Sequence, residues 1–174
     1  ADPSSYDAIL SQPSHPWLAG SSALYTREFF LEAKRALRPG GVLAQWVNLF
    51  RIDVTRVRQD FATLRSVFPH VAAFVVEDSS FVLVASDRPV TLGSRAMERI
   101  TANPRLRTLL AGYHLDTVAE LEATQELDAP GAAAFAAGAS TLSDDRPAFE
   151  YALARLPHGS ALEDRAVLGA AALD

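Results

Sequence analysis

Two short apolar runs, YDAILS at 6–11 and VLAQWV at 42–47, flank a segment of helical period, and this arrangement constrains the chain more than any other feature. Tyr25, Phe29, Ala33 and Leu37 recur every four residues, which gives a helix over 26–37 one apolar stripe. Thr26 is placed to cap its start, and Glu28 brings negative charge to the first turn. Lys34, Arg35 and Arg38 gather where the macrodipole favours cations, and Pro39, Gly40 and Gly41 stop the helix. Two strands joined by a helical crossover are parallel, with a right-handed connection. Their apolar composition suits strands covered on both faces.

The rest of the chain extends this unit. Asp53 caps a second helix over 54–67, in which Val54, Val57, Phe61, Leu64 and Phe68 fall at spacings of three and four. VAAFVV at 71–76 and FVLVA at 81–85 read as an antiparallel hairpin. Beyond Pro89 the pattern becomes helical, over 93–102, 104–111, 116–127 and 130–138. The order β, α, β, α, β, β is that of the second half of a doubly wound α/β sheet. Residues 1–89 form this half-sheet domain, and 90–174 a helical extension packed on it.

Composition removes several classes of function. The length of 174 residues suits one domain. Sixteen basic and 21 acidic residues leave a net charge of −5, Lys34 is the sole lysine, and no stretch concentrates positive charge, so nucleic acid is not an expected partner. Cysteine is absent, which removes disulfide and thiolate chemistry and fits a cytoplasmic protein. His15, His70, His114 and His158 lie far apart, without a second ligand at helical spacing, so no metal site is expected. No apolar run reaches the roughly 20 residues of a membrane-spanning helix, and no signal peptide is legible. Ala1 stands where a methionine would, with a strand almost at once, so the chain reads as a fragment or a processed product.

The loop after the first strand is where chemistry is expected, because ligands of such sheets bind beyond the carboxyl ends of the strands. Its sequence, YDAILSQPSHPWLAGSSALYTREFF, resembles the polyamine aminopropyltransferases, the spermidine and spermine synthases. It is most similar to a divergent bacterial branch reading close to YDxIxSEPSNPWxAGxxxLxTREFF. LRPGG at 37–41 followed by VLAQW is also similar, as is SDDRPAFEY at 143–151 to a TDDRPxLEY segment of that branch. The similarity covers roughly 5–155. LRPGG alone is shared with many class I methyltransferases.

The resemblance implies the C-terminal half of a class I methyltransferase-like Rossmann fold. It also implies transfer of an aminopropyl group from decarboxylated S-adenosylmethionine to a small-molecule amine, in polyamine biosynthesis. The attacking amine is protonated at neutral pH, so a group nearby must take a proton. Family members use the first Asp of a DSSDP-like motif. Here the matching position is Gln12 and the second acidic position is His15. Glutamine cannot accept that proton, whereas imidazole titrates near pH ~6.5. His15 is then the base and Gln12 an orienting partner; the alternative is that both only cap the loop of a relic site. Ser14, Trp17, Tyr25, Gln45, Asp144 and Asp145 are candidate substrate-side residues and Pro13 a cofactor-side one, and Tyr25 and Thr26 resemble family positions near the amine pocket. Structural roles compete with each of the clearer ones. Trp17 suits a packing plug, Gln45 a solvent-facing strand end, and the two aspartates a turn before proline.

No G-x-G-x-x-G run is present, so the adenosyl-binding half is expected to lie outside this chain, which by itself should bind no cofactor and be inactive. The expected association is with that N-terminal half or with a second copy of the chain. The alternatives are a fragment of an S-adenosylmethionine-dependent methyltransferase and a non-catalytic interaction module built on this fold.

Overall fold

The computed structural model describes residues 4–13, 20–49, 52–77, 80–91 and 94–145. Strand β1 (Tyr6–Ser11) is followed by a 3-10 turn (Ser22–Tyr25), helix α1 (Arg27–Ala36) and strand β2 (Leu37–Asn48). Helix α2 (Val54–Arg65) leads into the hairpin β3 (His70–Glu77) and β4 (Ser80–Ser86). Helices α3 (Ser94–Thr101), α4 (Pro104–Ala111) and α5 (Val118–Glu122), strand β5 (Gln125–Leu127) and helix α6 (Ala129–Ala136) complete the described chain. The sheet order is β1-β2-β4-β3-β5. β1 and β2 are parallel, as a helical crossover requires, and the other neighbouring pairs are antiparallel.

Alternation along the strands fixes where the core lies. Leu43, Gln45 and Val47 of β2, Phe81, Leu83 and Ala85 of β4, and Val71 and Ala73 of β3 are buried on one face. Against it pack Phe30 and Ala33 of α1, Val57, Phe61 and Leu64 of α2, and Ala132 and Phe135 of α6. The Phe61 ring meets Phe81 at 5.8 Å between centroids and Phe135 edge-on at 4.9 Å. α2 therefore joins the hairpin to the extension. The same helix holds the chain after α6. Arg58 Nε donates to the Phe135 carbonyl at 2.8 Å, Gln59 Nε2 to Ser140 Oγ at 2.7 Å, and Thr63 Oγ1 accepts the Leu142 N–H at 2.8 Å.

Several sequence expectations need correction. The chain enters β2 at Leu37, five residues before the predicted strand. Tyr6 pairs with Leu37 and Ala8 with Val42, so Arg38, Pro39, Gly40 and Gly41 bulge out within the strand. β1 is not covered on both faces. It is the outermost strand, and Tyr6, Ala8 and Leu10 are exposed. Val54, at the first turn of α2, escapes the core that holds the rest of its stripe, and Phe30 rather than Phe29 is the fully buried ring of α1. The helix predicted over 116–127 is a single turn, α5, with a Thr117–Glu120 capping box. The chain then extends as β5, because the outer edge of β3 offers hydrogen bonds that a continued helix would leave unmet.

Candidate functional site

The parallel pair places its carboxyl ends together. Ser11, the last residue of β1, is in register with Gln45 of β2, and the loop that carries Gln12 starts there. Gln12 is exposed and Pro13 is buried. Gln45 does not face water, as a strand-end polar residue often does, but lies wholly inside the core face of β2. Its Nε2 donates to the Trp46 carbonyl at a long 3.5 Å, and its Oε1 has no hydrogen-bond partner among the described residues.

Tyr25 closes the 3-10 turn and is fully buried. Its position is set by the start of α1. Thr26 Oγ1 accepts from the Phe29 N–H at 3.4 Å and donates to the Ala23 carbonyl at 2.9 Å, the N-cap expected from sequence. Burial, and then the charge of Asp60, raise the Tyr25 phenol above its ordinary pKa, while the Gln45 side chain acts in the opposite sense. Tyr25, Gln45 and Asp60 thus form one buried polar group.

Asp60 is the member that the sequence reading missed. It sits on α2 with no solvent exposure, and neither carboxyl oxygen has a hydrogen-bond partner among the described residues. Burial pushes its carboxyl up to about 8, so it is largely protonated at neutral pH and carries a proton it can donate. The signal was present: Asp60 lies three residues after Val57 and four before Leu64, on the apolar stripe itself. A carboxylate on such a stripe is either paired or neutral.

Asp144 and Asp145 lie elsewhere, on the exposed rim. The Asp144 N–H donates to Glu28 Oε2 at 3.2 Å, and the Arg27 N–H to the Leu142 carbonyl at 3.0 Å. The rim is therefore strapped to the start of α1, one turn from Tyr25. The structure brings Tyr25 and Gln45 together and puts the start of the Gln12 loop beside Gln45. Ser14, His15 and Trp17 lie outside the described residues. Among the described residues, no helix is long and apolar enough to cross a membrane, and no group of three or more His, Cys, Asp or Glu is placed to hold a metal ion.

No protein-family model matches the chain, and no curated protein matches it in sequence. Its fold is similar to that of a solved structure, a probable spermidine synthase from Corynebacterium glutamicum ATCC 13032, with a TM-score of 0.54 and 21% identity. The match takes in 82% of this chain and 48% of that one, so the chain spans about half the length of its structural neighbour. The shared architecture is Rossmann-like α/β, here with one parallel pair and an antiparallel remainder.

Proposed function

We propose that this chain forms the amine-side half of a cytoplasmic, spermidine synthase-like aminopropyltransferase. The observation that carries the reading is that the start of the motif-bearing loop and Gln45 meet at the carboxyl end of the parallel pair, with Gln45 and Asp60 both acting on buried Tyr25. Ligands of open α/β sheets bind at such an end. The sequence similarity at 6–30 and the fold of the structural neighbour support the same reading.

In this reaction an amine nitrogen attacks the methylene bound to the sulfonium of decarboxylated S-adenosylmethionine. A C–N bond forms, the C–S bond breaks, and sulfur leaves as a neutral thioether. The amine proton passes to His15. Gln12 and Gln45 orient the nitrogen. Glu28, Asp144 and Asp145 form an acidic rim that attracts polyamine cations. The nucleoside is held by residues outside this chain, which has no glycine-rich strand-to-helix turn.

The test uses the product of the complete reading frame, supplied with decarboxylated S-adenosylmethionine and 1,4-diaminobutane, with the released thioether measured by chromatography. Turnover is expected, and His15→Ala should lower it roughly 10²–10⁴-fold, with a smaller loss for Gln12→Ala. Unchanged turnover in His15→Ala removes the histidine from the mechanism. Methyl transfer from S-adenosylmethionine in place of aminopropyl transfer makes the protein a methyltransferase. A second reading, a non-catalytic module, rests on Gln12, which cannot take a proton. It predicts turnover of neither sulfonium.

A further inference from the structure

Helix α2 spends most of its polar side chains on one task. Arg58, Gln59 and Thr63 are hydrogen-bonded to Phe135, Ser140 and Leu142, in the chain at and after α6. Asp60 takes no part in this. It is the only carboxyl in the buried set among the described residues, and there neither of its oxygens has a hydrogen-bond partner and no cation pairs with it. Asp60 has no exposed surface in this chain, so the part of the sheet that would adjoin β1 supplies no partner either. An unpaired buried carboxyl destabilises a core, whereas an apolar residue at this point of the stripe would not. α2 packs against the 3-10 turn that ends at Tyr25, and Asp60 acts electrostatically on the Tyr25 phenol. The Gln45 side chain acts on the same phenol, and Gln45 is level with Ser11, where the Gln12 loop starts. One hydroxyl thus links Asp60 to the carboxyl end of the parallel pair.

We propose that Asp60 is a positioning residue for the amine site, acting through the Tyr25 hydroxyl on the Gln45 side chain. The role rests on the aminopropyltransferase reading. Tyrosine has one O–H to give. An uncharged Asp60 makes no strong claim on it, and Tyr25 stays with Gln45. An ionised Asp60 is the strongest acceptor in this core and draws the Tyr25 O–H towards α2. Gln45 is then free to turn from the position that meets the amine. Burial keeps the carboxyl uncharged through neutral pH, with its midpoint at about 8. The elements packed against α2 bring no competing buried charge among the described residues. β3 and α6 contribute Val71, Ala72, Ala73, Ala132, Phe135 and Ala136. Arg27 and Glu28 of α1, and Asp144 and Asp145 of the rim, are exposed. Arg56, one turn back on α2, gives its NH1 to Gln59.

The test uses the product of the complete reading frame, carrying tyrosine labelled with carbon-13 at Cζ, with the Tyr25 resonance assigned by its loss in Tyr25→Phe. That resonance is expected to move between pH 7 and 9, with a midpoint at about 8, and to stay still in Asp60→Asn, whose side chain does not ionise. The KM for 1,4-diaminobutane, taken as the ratio of wild type to Asp60→Asn, should rise about tenfold from pH 7 to 9, because only the fraction with uncharged Asp60 binds. The kcat ratio should stay level. The amine and His15 titrate in both proteins, so their effects cancel in these ratios. A wild-type Tyr25 resonance that ignores pH overturns the proposal whatever the variant does, and with turnover present it leaves the reaction standing. A flat KM ratio overturns it too. A wild-type protein that turns over neither sulfonium, with the Tyr25 step present, removes the reaction itself and the role with it.

Discussion

The two edges of the sheet are finished in opposite ways. At the β3 edge, chain from some fifty residues further on returns as β5, and the Val75 N–H donates to the Thr124 carbonyl at 2.8 Å. Helix α6 then folds over the same end and sets Phe135 edge-on against the Phe61 ring of α2. Asp128 caps that helix by accepting the Gly131 N–H at 2.8 Å. At the β1 edge nothing comparable is seen among the described residues, and the side chains there look outward. The closed edge concentrates burial, so it should carry stability. The open edge contributes pairing to β2 and little to the core.

The largest test of that contrast is a pair of truncations. Phe135→Ala should cost about 3–5 kcal/mol by urea unfolding. Leu10→Ala should stay within about 0.5 kcal/mol. Similar losses at the two sites would break the comparison.

A second test sets the core carboxyl against the edge carboxyl. Asp60 is raised from 3.8 in its ordinary state to about 8 in the fold, so the native state holds a proton that the unfolded chain releases. That contribution to stability is full below pH 4 and is lost as pH rises towards 8, where it levels off. One proton corresponds to about 1.4 kcal/mol per pH unit within the window. Asp60→Asn should flatten this slope and be the more stable form at pH 8. Parallel unfolding curves for the two proteins between pH 5 and 8 would show that burial of Asp60 does not control its titration.

The smallest effect belongs to Asp7. Its pair with Arg38 is exposed, so Asp7→Asn should cost well under ~1 kcal/mol, and less still in high salt. A larger, salt-insensitive loss would mean that this edge is structurally tighter than it looks.

What the sequence disclosed follows from what is local. β1 spans the residues its apolar run marks, α1 and α2 begin at Thr26 and Asp53 as their caps require, and the hairpin follows its β-branched runs. β5 was illegible because three residues, Gln125–Leu127, carry little pattern of their own and are strand only beside β3. The apolar run of β1 did not by itself disclose its exposure, but the lack of a glycine-rich half in the sequence did point to an unpaired edge at Tyr6–Ser11. Of the candidate site, Tyr25 and Gln45 were readable from the motif, and their shared burial with Asp60 was not. That grouping depends on the packing of α2 against the 3-10 turn, which brings Asp60 to Tyr25.

The bulge in β2 bears on what sequence likeness can report. Gly40 has φ of +79°, and a Cβ there would meet the Arg88 guanidinium at 3.0 Å. One at Gly41 would fall 2.9 Å from the Arg38 carbonyl oxygen and 3.1 Å from that of Asp7. The two glycines are what let the chain fold a four-residue detour against β1 and rejoin the strand in register. RPGG is thus a record of backbone shape, written beside the start of β1 and away from the carboxyl end of the parallel pair. A chain can inherit or converge on that shape whatever chemistry it performs, so likeness between such chains is better judged by the loop that starts at Gln12 than by the turn that is easiest to recognise.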